Sequence, residues 1–451
     1  MGERRCEFQR RRARHGEAPG LAVDEAPDLH RLHRQARRRR LGRGLAHLAV
    51  RVHAARRSRS FLRRGRSRHS DEHGDVSPGL PRVAIDYLPA TTHFPGVGRY
   101  ARELVRALVR LPRAERGELV LFEWGSEPRA IGEPWLGLDG HLDGVERVSR
   151  RLPRRLLELR ARIGFDAASS CGALDLFHRI HAHYPPLRGV RQLWPVPELP
   201  ARGTAAETAL RARLAEFDAF LVASRDAGER LQRDHGIAAA RIHRVRTGCE
   251  HWLREQRDPV ARLEPAQLVV LGALRAGRGH RAILEAFARL HARKRAARLL
   301  LIGSDGPERV PVLTRAAELG LATCVEWIGQ PIESRMPRVM AESAALVHLS
   351  DGELTPVTPL EACASGAGVL ASPLPAFFEA LGEEAVWAPP AAVEDPAELA
   401  RLLERAVELG LDPAAQARRR ALAGAYTWEA NARATLDAWR KLAGHPAGAS
   451  N

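Results

Sequence analysis

The chain has 451 residues, of which 45% are apolar and 28% are charged, a composition typical of a folded protein with two or more domains. This excludes a small disulfide scaffold and a chain that is disordered throughout. The five scattered cysteines contain no C-x-x-C pair and give neither a disulfide framework nor a zinc site, which favours a reducing, cytoplasmic setting.

Residues 1–80 form a strongly basic extension. They hold 21 arginines against 9 acidic residues, whereas the rest of the chain is nearly balanced, with 50 basic and 45 acidic residues. Like charge, few aromatic residues and no sustained hydrophobic period predict disorder. Two interpretations stay open, an arm for nucleic acid or an anionic membrane and a solvated tail. Because basic and acidic residues nearly balance in the rest of the chain, we expect no specific nucleic-acid partner. We expect neither a signal peptide nor a membrane-spanning helix.

An alternating strand and helix pattern begins at Pro81. Arg82–Leu88 predicts a buried strand and Arg99–Leu111 an amphipathic helix, with a turn-rich loop between them. The alternation continues and restarts after Pro265, which predicts parallel sheets. Further predicted strands are Leu119–Phe122, Asp218–Ala223, Leu268–Leu271, Arg298–Ile302, Val325–Ile328 and Ala345–Leu349, and further predicted helices are Ala227–Asp234 and Arg281–His291.

The predicted fold class is α/β with two Rossmann-like domains. Residues 81–250 form the first domain, 251–265 a charged linker with two prolines, 266–425 the second domain, and 426–451 a terminal helix and tail. Ligands of such sheets bind beyond the carboxyl ends of the strands, so two facing sheets predict a shared cleft.

The first informative loop is Gly96-Val97-Gly98-Arg99-Tyr100-Ala101, which matches G-x-G-x-x-A. It opens a helix whose free N–H groups and positive dipole end suit an anion. A dinucleotide fingerprint should follow its strand at once, whereas residues 89–95 intervene here. A glycine-shaped turn without a ligand is the other interpretation.

The second loop, residues 272–280, follows the first strand of the second domain. Its glycines, Gly272 among them, let the backbone come close to a ligand, and Arg275 or Arg278 can neutralise a diphosphate. The two arginines could equally be solvated. Gly303 closes the next strand as a turn and is counted with the predicted binding residues.

The third loop runs from Glu353 to Glu361. Thr358 is the predicted N-cap, Pro359 the first helical residue and Gly366 the end of the helix. Glu361 has two interpretations. It completes a capping box with Thr358, or its carboxylate accepts both hydroxyls of a ribose while the helix start receives phosphates.

Taken in order, these motifs resemble the retaining family 4 (group 1) glycosyltransferases of GT-B fold. The resemblance covers residues 81 to 440. It rests on the Glu-x7-Glu pair followed by Ala-Cys-Ala-Ser-Gly, on the glycine turn near the start, on the strand and glycine at 241–248 and on the Tyr-Thr-Trp-Glu at 426–429. It implies two domains facing across a cleft, a terminal helix that crosses back, and transfer of a sugar from a nucleotide-diphosphate donor to an unknown acceptor.

The resemblance also implies residue roles. Glu353 is the catalytic residue and meets the hydroxyls of the donor sugar, Glu361 meets the ribose, and Arg278 binds the diphosphate. Gly96 and Gly98 approach the donor from the first domain. The full predicted substrate-binding set is Gly96, Gly98, Arg99, Gly272, Arg275, Arg278, Gly303, Thr358 and Glu361. No cofactor or metal is expected, since Asp-x-Asp does not occur.

Three positions depart from the family pattern. Pro197-Glu198 stands where His-Asp is common, Gly277-Arg278 where Arg-Lys is usual, and Leu354-Thr355-Pro356 where Gly-Phe-Gly is usual. A nearby histidine cluster at 178, 181 and 183 could compensate, or its members could be ordinary core and loop residues.

Two alternatives and one further partner therefore stay open. The departures favour a non-catalytic glycosyltransferase-like binding protein. The first glycine turn favours a weaker alternative, an NAD-dependent oxidoreductase. The basic segment Arg150–Arg160 could rest peripherally on an anionic membrane or form a solvated helix face.

Overall fold

The computed structural model describes residues 80–444 apart from 93–95, 126–142, 151–165 (of which only 153, 156 and 159 are described), 182–186, 201, 256–260, 294–297 and 330–332. The described residues lie within one compact unit, Gly74–Asn451. The predicted disorder of residues 1–80 falls outside the described residues, apart from Leu80 itself.

The first lobe contains a seven-stranded parallel sheet in the order β3-β2-β1-β4-β5-β6-β7. Its central strands are continuous runs of buried residues, because helices cover both faces of such a sheet. The strands are β1 Arg82–Asp86, β2 Glu118–Trp124, β3 Val145–Arg150, β4 Leu176–His178, β5 Arg191–Pro195, β6 Ala219–Val222 and β7 Ile242–Arg244.

One helix of the first lobe lies where the sequence predicts a loop. Part of the predicted loop after β1 is a short helix, in which Pro89 lies in the first turn, where its missing N–H is tolerated. The helices are α1 Leu88–Thr92, α2 Val97–Arg110, α3 Arg113–Arg116, α4 Ala205–Arg211 and α5 Arg225–His235, with 3-10 turns at Ala167–Cys171, Leu214–Glu216 and Ala239–Arg241.

The second lobe contains a six-stranded parallel sheet in the order β10-β9-β8-β11-β12-β13. Counted within each lobe, both sheets begin with the strand order 3-2-1-4-5-6, which is that of the Rossmann fold. The prediction of an α/β protein with two Rossmann-like domains is confirmed. The strands are β8 Gln267–Leu271, β9 Arg298–Ile302, β10 Val325–Ile328, β11 Ala345–His348, β12 Gly368–Ala371 and β13 Val386–Trp387.

The chain between the sheets starts as a helix where the sequence predicts a charged linker. Trp252, on that helix, is fully buried, which holds the segment against the second lobe. The helices from this point are α6 His251–Glu255, α7 His280–Ala292, α8 Arg309–Glu318, α9 Met336–Glu342, α10 Val357–Ala364, α11 Pro375–Leu381, α12 Pro390–Glu394, α13 Pro396–Leu411, α14 Pro413–Gly424 and α15 Trp428–Ala443, with 3-10 turns at Glu333–Arg335 and Gly382–Glu384.

The last helix, α15, packs against the first lobe. Trp428, Leu436 and Trp439 share a hydrophobic cluster with apolar residues of α2. Trp439 Nε1–H donates to His178 Nδ1 at 3.1 Å, at the end of β4. The start of α15 is fixed by the Glu250 carboxylate, which accepts from the Trp428 N–H. The chain therefore crosses between the lobes twice, at α6 and before α15.

A buried carboxyl at the end of β1 makes the stability of the first lobe depend on pH. Burial raises the pKa of Asp86 from 3.8 to about 7, although the His181 N–H and the Arg179 charge partly oppose this. The protonated carboxyl therefore stabilises the fold below pH 3.8, and this contribution is lost as the pH rises through 7.

Asp86→Asn should remove this loss. Wild type is expected to lose up to about 4 kcal/mol relative to the variant between pH 4 and pH 8, measured by urea unfolding at both pH values. Asp437→Asn, at an exposed position on α15, serves as the control and should show no such difference. Equal pH dependence in Asp86→Asn and wild type would contradict the burial argument.

Candidate functional site

A cavity of about 300 Å³ lies between the two lobes. Its walls come from loops that follow β1, β5, β6 and β7 in the first lobe and β8, β9 and β11 in the second. These are carboxyl ends of parallel strands, where such folds bind ligands. Six residues of the predicted site line it: Gly96, Gly272, Arg275, Arg278, Glu353 and Thr358.

The glycine turn at the start of α2 forms the first-lobe wall. Gly96 is the N-cap of this helix with φ 74°, a left-handed conformation that favours glycine, so the start of α2 borders the cavity. Gly98 is buried within the first turn instead. Because α1 separates β1 from Gly96, the direct strand-to-helix turn of a dinucleotide site is not formed.

Arg99 and Glu361 do not line the cavity but bind each other across the lobes. Arg99 Nη1 lies 2.5 Å from Glu361 Oε2, and both side chains are fully buried. His251 Nε2 is 3.8 Å from the other carboxylate oxygen, and the Arg99 guanidinium lies over the Trp252 ring at 5.2 Å. In this arrangement the carboxylate predicted to meet the ribose faces α2, and its ribose contact stays a prediction.

The start of α10 differs from the prediction. The helix begins at Val357, with Pro356 as its N-cap and without a side-chain cap. The predictions of Thr358 as the N-cap and Pro359 as the first helical residue are therefore wrong, and so is the capping-box interpretation of Glu361. Thr358 lies inside the first turn, and Glu361 is engaged by Arg99. Val357 and Thr358 line the cavity, so the two free N–H groups of this turn border it, while Pro356 and Pro359 have none.

Two glycines bring the loops after β8 and β9 together. A Cβ atom on Gly303, whose φ is +157°, would lie 1.9 Å from the Gly272 carbonyl oxygen. Gly303 is therefore required for close packing of the loops, and Ser304, the next residue, lines the cavity. A direct contact of Gly303 with a ligand stays a prediction.

Both predicted arginines of the second loop lie at the cavity and bind carboxylates. Arg275 Nη2 lies 3.3 Å from Glu198 Oε2, which joins the two lobes. Arg278 forms an ion pair with Glu353, and its Nη1 is 3.4 Å from His348 Nε2. The arginine expected at a diphosphate thus already neutralises a carboxylate.

Glu353 is the most strongly bound carboxylate of the cavity. It accepts a hydrogen bond from His348 Nε2 at 2.9 Å and another from Arg278. Burial alone would raise the pKa of Glu353, but the attraction and hydrogen bonds of His348 and Arg278 outweigh it and lower the pKa to about 2. The carboxylate is therefore ionised at neutral pH and can only accept hydrogen bonds.

Two residues of this region were missed from the sequence. His348 is the last residue of β11, and its place at the carboxyl end of a predicted strand was the available signal. Leu354 belongs to the second lobe but is 1% exposed inside a cluster of first-lobe residues. Its N–H donates to the Pro197 carbonyl at 3.1 Å, and Glu198 and Glu353 form a β-bridge beside it.

A further contact joins the lobes at α11. The Glu379 carboxylate accepts from the Arg225 N–H at 2.8 Å, at the start of α5, and forms an ion pair with Arg244 at the end of β7. Together with Leu354 and the Arg99–Glu361 pair, it holds the lobes against each other on several sides of the cavity.

Of the predicted histidine cluster at 178, 181 and 183, the structure describes His178 and His181. Burial lowers the pKa of His178 to about 3, and its Nδ1 accepts from Trp439, which makes it a neutral core residue. His181 offers its backbone N–H to Asp86. His183 lies outside the described residues.

Among the described residues no group of three or more His, Cys, Asp or Glu side chains could hold a metal ion, and no helix is long and apolar enough to cross a membrane. The expectation that no metal or cofactor is needed stays a prediction. Most of the basic segment 150–160 is outside the described residues, and so its membrane contact also stays a prediction.

Residues 265–408, most of the second lobe, match the model of the family described as group 1 glycosyl transferases. Comparison with curated proteins gave no match.

Solved structures resemble the whole two-lobe arrangement. A glycosyltransferase from Rickettsia africae has a TM-score of 0.58 at 12% identity over 80% of this chain and 98% of its own. Sucrose-phosphate synthase from Thermosynechococcus elongatus has a TM-score of 0.59 at 18% identity, over 78% and 96%. HepE from Anabaena, in complex with UDP-glucose, has a TM-score of 0.53 at 15% identity, over 77% and 95%. The chain has the GT-B fold.

Proposed function

We propose that this protein is a retaining glycosyltransferase that moves a sugar from a nucleotide-diphosphate sugar to an acceptor in the interlobe cavity. The observation that carries the proposal is the meeting of Arg278, Glu353 and the first turn of α10 on one wall, opposite the Gly96 turn of the other lobe. The match of the second lobe to group 1 glycosyl transferases supports the same activity.

The wall offers separate groups for the two parts of the donor. The free N–H groups of α10 and the Arg278 guanidinium suit the diphosphate, whose negative charge grows as the sugar departs. Glu353 is ionised and suits hydroxyls of the sugar as their acceptor. Most of the rate then comes from positioning and from stabilising the departing diphosphate. The bond from the anomeric carbon to the leaving phosphate oxygen breaks while the acceptor's hydroxyl oxygen bonds to that carbon on the same face. The leaving phosphate oxygen takes the proton of the acceptor hydroxyl.

The charges already present support transfer without a metal. Arg278 and the helix start are fixed in place before the donor enters, so they need no reorganisation during the reaction. Because HepE is a structural neighbour in complex with UDP-glucose, UDP-sugars are the first donors to test.

A donor screen by thermal shift tests the proposal. A matching UDP-, GDP- or ADP-sugar at 100 times its Kd should add about 2.7 kcal/mol of stability to wild type. Glu353→Gln should lower the rate of sugar transfer or donor hydrolysis by about 100-fold or more, because the charged acceptor of the sugar hydroxyls becomes a neutral amide with one acceptor oxygen. Glu326→Gln, exposed on β10, is the matched control and should keep wild-type rates. The proposal fails if no donor stabilises the protein.

A non-catalytic binding protein is the second candidate. The observation in its favour is that Glu361 and Arg99 bind each other instead of facing the cavity, while Pro356 offers no N–H at the start of α10. Donor binding with no release of nucleoside diphosphate, in wild type and Glu353→Gln alike, would favour this candidate over the enzyme.

A further inference from the structure

The two walls of the interlobe cavity differ in their chemistry. The second-lobe wall carries the ionisable side chains Arg275, Arg278, His348 and Glu353. Among the described residues of the first lobe, the wall carries one charged side chain, Glu198, which Arg275 neutralises. Most of its other side chains are apolar, and the aliphatic ones larger than alanine are Val97, Ile180, Val196, Leu221, Val222 and Val245. The cavity is therefore charged on one side and apolar on the other.

The uncharged polar side chains of the first-lobe wall offer few groups to a ligand. Asn431 Nδ2 donates to the Arg246 carbonyl at 2.6 Å. Thr247 is 3% exposed, and the hydroxyl oxygen of Tyr100 is buried. A free sugar or a glycan would press several hydroxyls against aliphatic groups here and would lose hydrogen bonds to water without replacing them. This wall therefore disfavours a polyhydroxylated molecule.

The second lobe does not cover this apolar wall, although the lobes are already in contact. Leu354 is buried among first-lobe residues, and the buried Arg99–Glu361 pair joins the lobes. The aliphatic side chains nevertheless line a cavity of about 300 Å³. Apolar cavity walls favour an apolar ligand, because binding removes apolar surface from water.

The apolar wall adjoins the carboxylate that is proposed to hold the donor sugar. Glu198 and Glu353 form an antiparallel β-bridge, and the Leu354 N–H donates to the Pro197 carbonyl at 3.1 Å. Residues 195–197, which line the cavity, therefore lie beside Glu353. The molecule that reaches the sugar from the first lobe is the acceptor. We therefore assign the apolar wall to the acceptor and not to the nucleoside of the donor.

We propose that the acceptor is a small apolar alcohol, such as a phenol, whose apolar body packs on the first-lobe wall. Its hydroxyl oxygen bonds to the anomeric carbon while the bond from that carbon to the leaving phosphate oxygen breaks. The hydroxyl proton passes to the leaving phosphate oxygen. This inference rests on the proposed function, because it names the acceptor class of the same site.

Sugar transfer to 2-naphthol and to glucose, at a saturating concentration of the nucleotide sugar found by thermal shift, tests the inference. The kcat/KM of wild type should be at least about tenfold higher for 2-naphthol, because its two rings bury apolar area on the wall and glucose does not. Formation of the naphthyl glycoside and release of nucleoside diphosphate measure the transfer. A kcat/KM for glucose that equals or exceeds that for 2-naphthol, or no transfer to 2-naphthol, would overturn the inference.

Val245→Thr places a hydroxyl on the apolar wall and keeps the shape of the side chain. It should lower kcat/KM for 2-naphthol about threefold to tenfold, because the hydroxyl loses its contact with water when the acceptor binds. Its Kd for the nucleotide sugar should stay within about twofold of wild type. Val148→Thr is the matched control and should keep wild-type values, since Val148 is 6% exposed on β3, away from the cavity, and Val245 is 5% exposed.

The affinity for the nucleotide sugar shows whether the acceptor or the nucleoside base lies on this wall. If Val245→Thr leaves transfer to 2-naphthol unchanged, or weakens nucleotide-sugar binding by the same factor, the acceptor does not pack there. Either result would overturn the inference and leave the proposed function intact. If wild type binds no nucleotide sugar, both are overturned.

Discussion

Arg99→Met and Glu361→Gln are each expected to lower the free energy of unfolding by about 3–5 kcal/mol. Each substitution leaves one ion of a fully buried pair without its counter-charge. Removing both charges together should cost less than the sum of the two, because the double variant buries no isolated charge. Urea unfolding of wild type, both single variants and the double variant measures this coupling.

An exposed ion pair supplies the matched control. Arg298 and Glu326 join β9 and β10 at the surface, and removing either partner should cost less than about 1 kcal/mol. If the effects of Arg99→Met and Glu361→Gln on the free energy of unfolding simply add, the ion pair between them does not stabilise the contact between the lobes.

Leu354→Ala is expected to cost about 2–5 kcal/mol, the usual range for a leucine truncated in a packed core. The side chain comes from the second lobe but fills a cluster formed by Trp194, Val196 and other residues of the first. The Leu354 N–H donates a hydrogen bond to the Pro197 carbonyl across the lobes. The variant should therefore also increase amide hydrogen exchange at the residues that flank Pro197.

Leu411→Ala serves as the control for this substitution, because Leu411 is exposed at the end of α13. Leu411→Ala should change the free energy of unfolding by about 0.5 kcal/mol or less. An equally small effect of Leu354→Ala would show that the loop after β11 does not hold the lobes together.

Strands β1, β2, β6 and β8 to β11 could be predicted from the sequence, because parallel strands covered on both faces are short apolar runs. Strand β3, whose residues are mostly exposed, was not predicted. Arg298–Ile302 and Val325–Ile328 were predicted with the bounds that the structure has. Helix α1 was missed because Pro89 and the flanking threonines are typical of a turn, whereas tertiary packing buries Pro89, Ala90 and Thr91.

Only part of the site could be predicted from the sequence, because a sequence motif indicates local geometry and not long-range contacts. The glycine turn and the loop around Arg278 and Glu353 were located, because each lies next to a strand end. The pairing of Arg99 with Glu361 joins residues 262 positions apart, and spacing in the sequence carries no sign of it. The same holds for Leu354, whose partners belong to the other lobe.

The capping box at α10 was wrong for a related reason. A Thr-x-x-Glu spacing predicts local hydrogen bonds, but a fully buried carboxylate beside an arginine gains more from the ion pair than from a backbone N–H. A long-range partner thus replaced the local one.

Calorimetric titration of the donor found by thermal shift into wild type, Arg278→Met and Arg281→Met shows whether the diphosphate binds at Arg278. Arg281, exposed on the first turn of α7 beside Glu285, is the matched control. Wild type and Arg281→Met should bind the donor with the same affinity. Arg278→Met should bind it at least about tenfold more weakly, since this variant loses a charge-assisted contact to the diphosphate. Equal affinity in Arg278→Met would mean that the diphosphate does not bind at Arg278 and would contradict the proposed donor site.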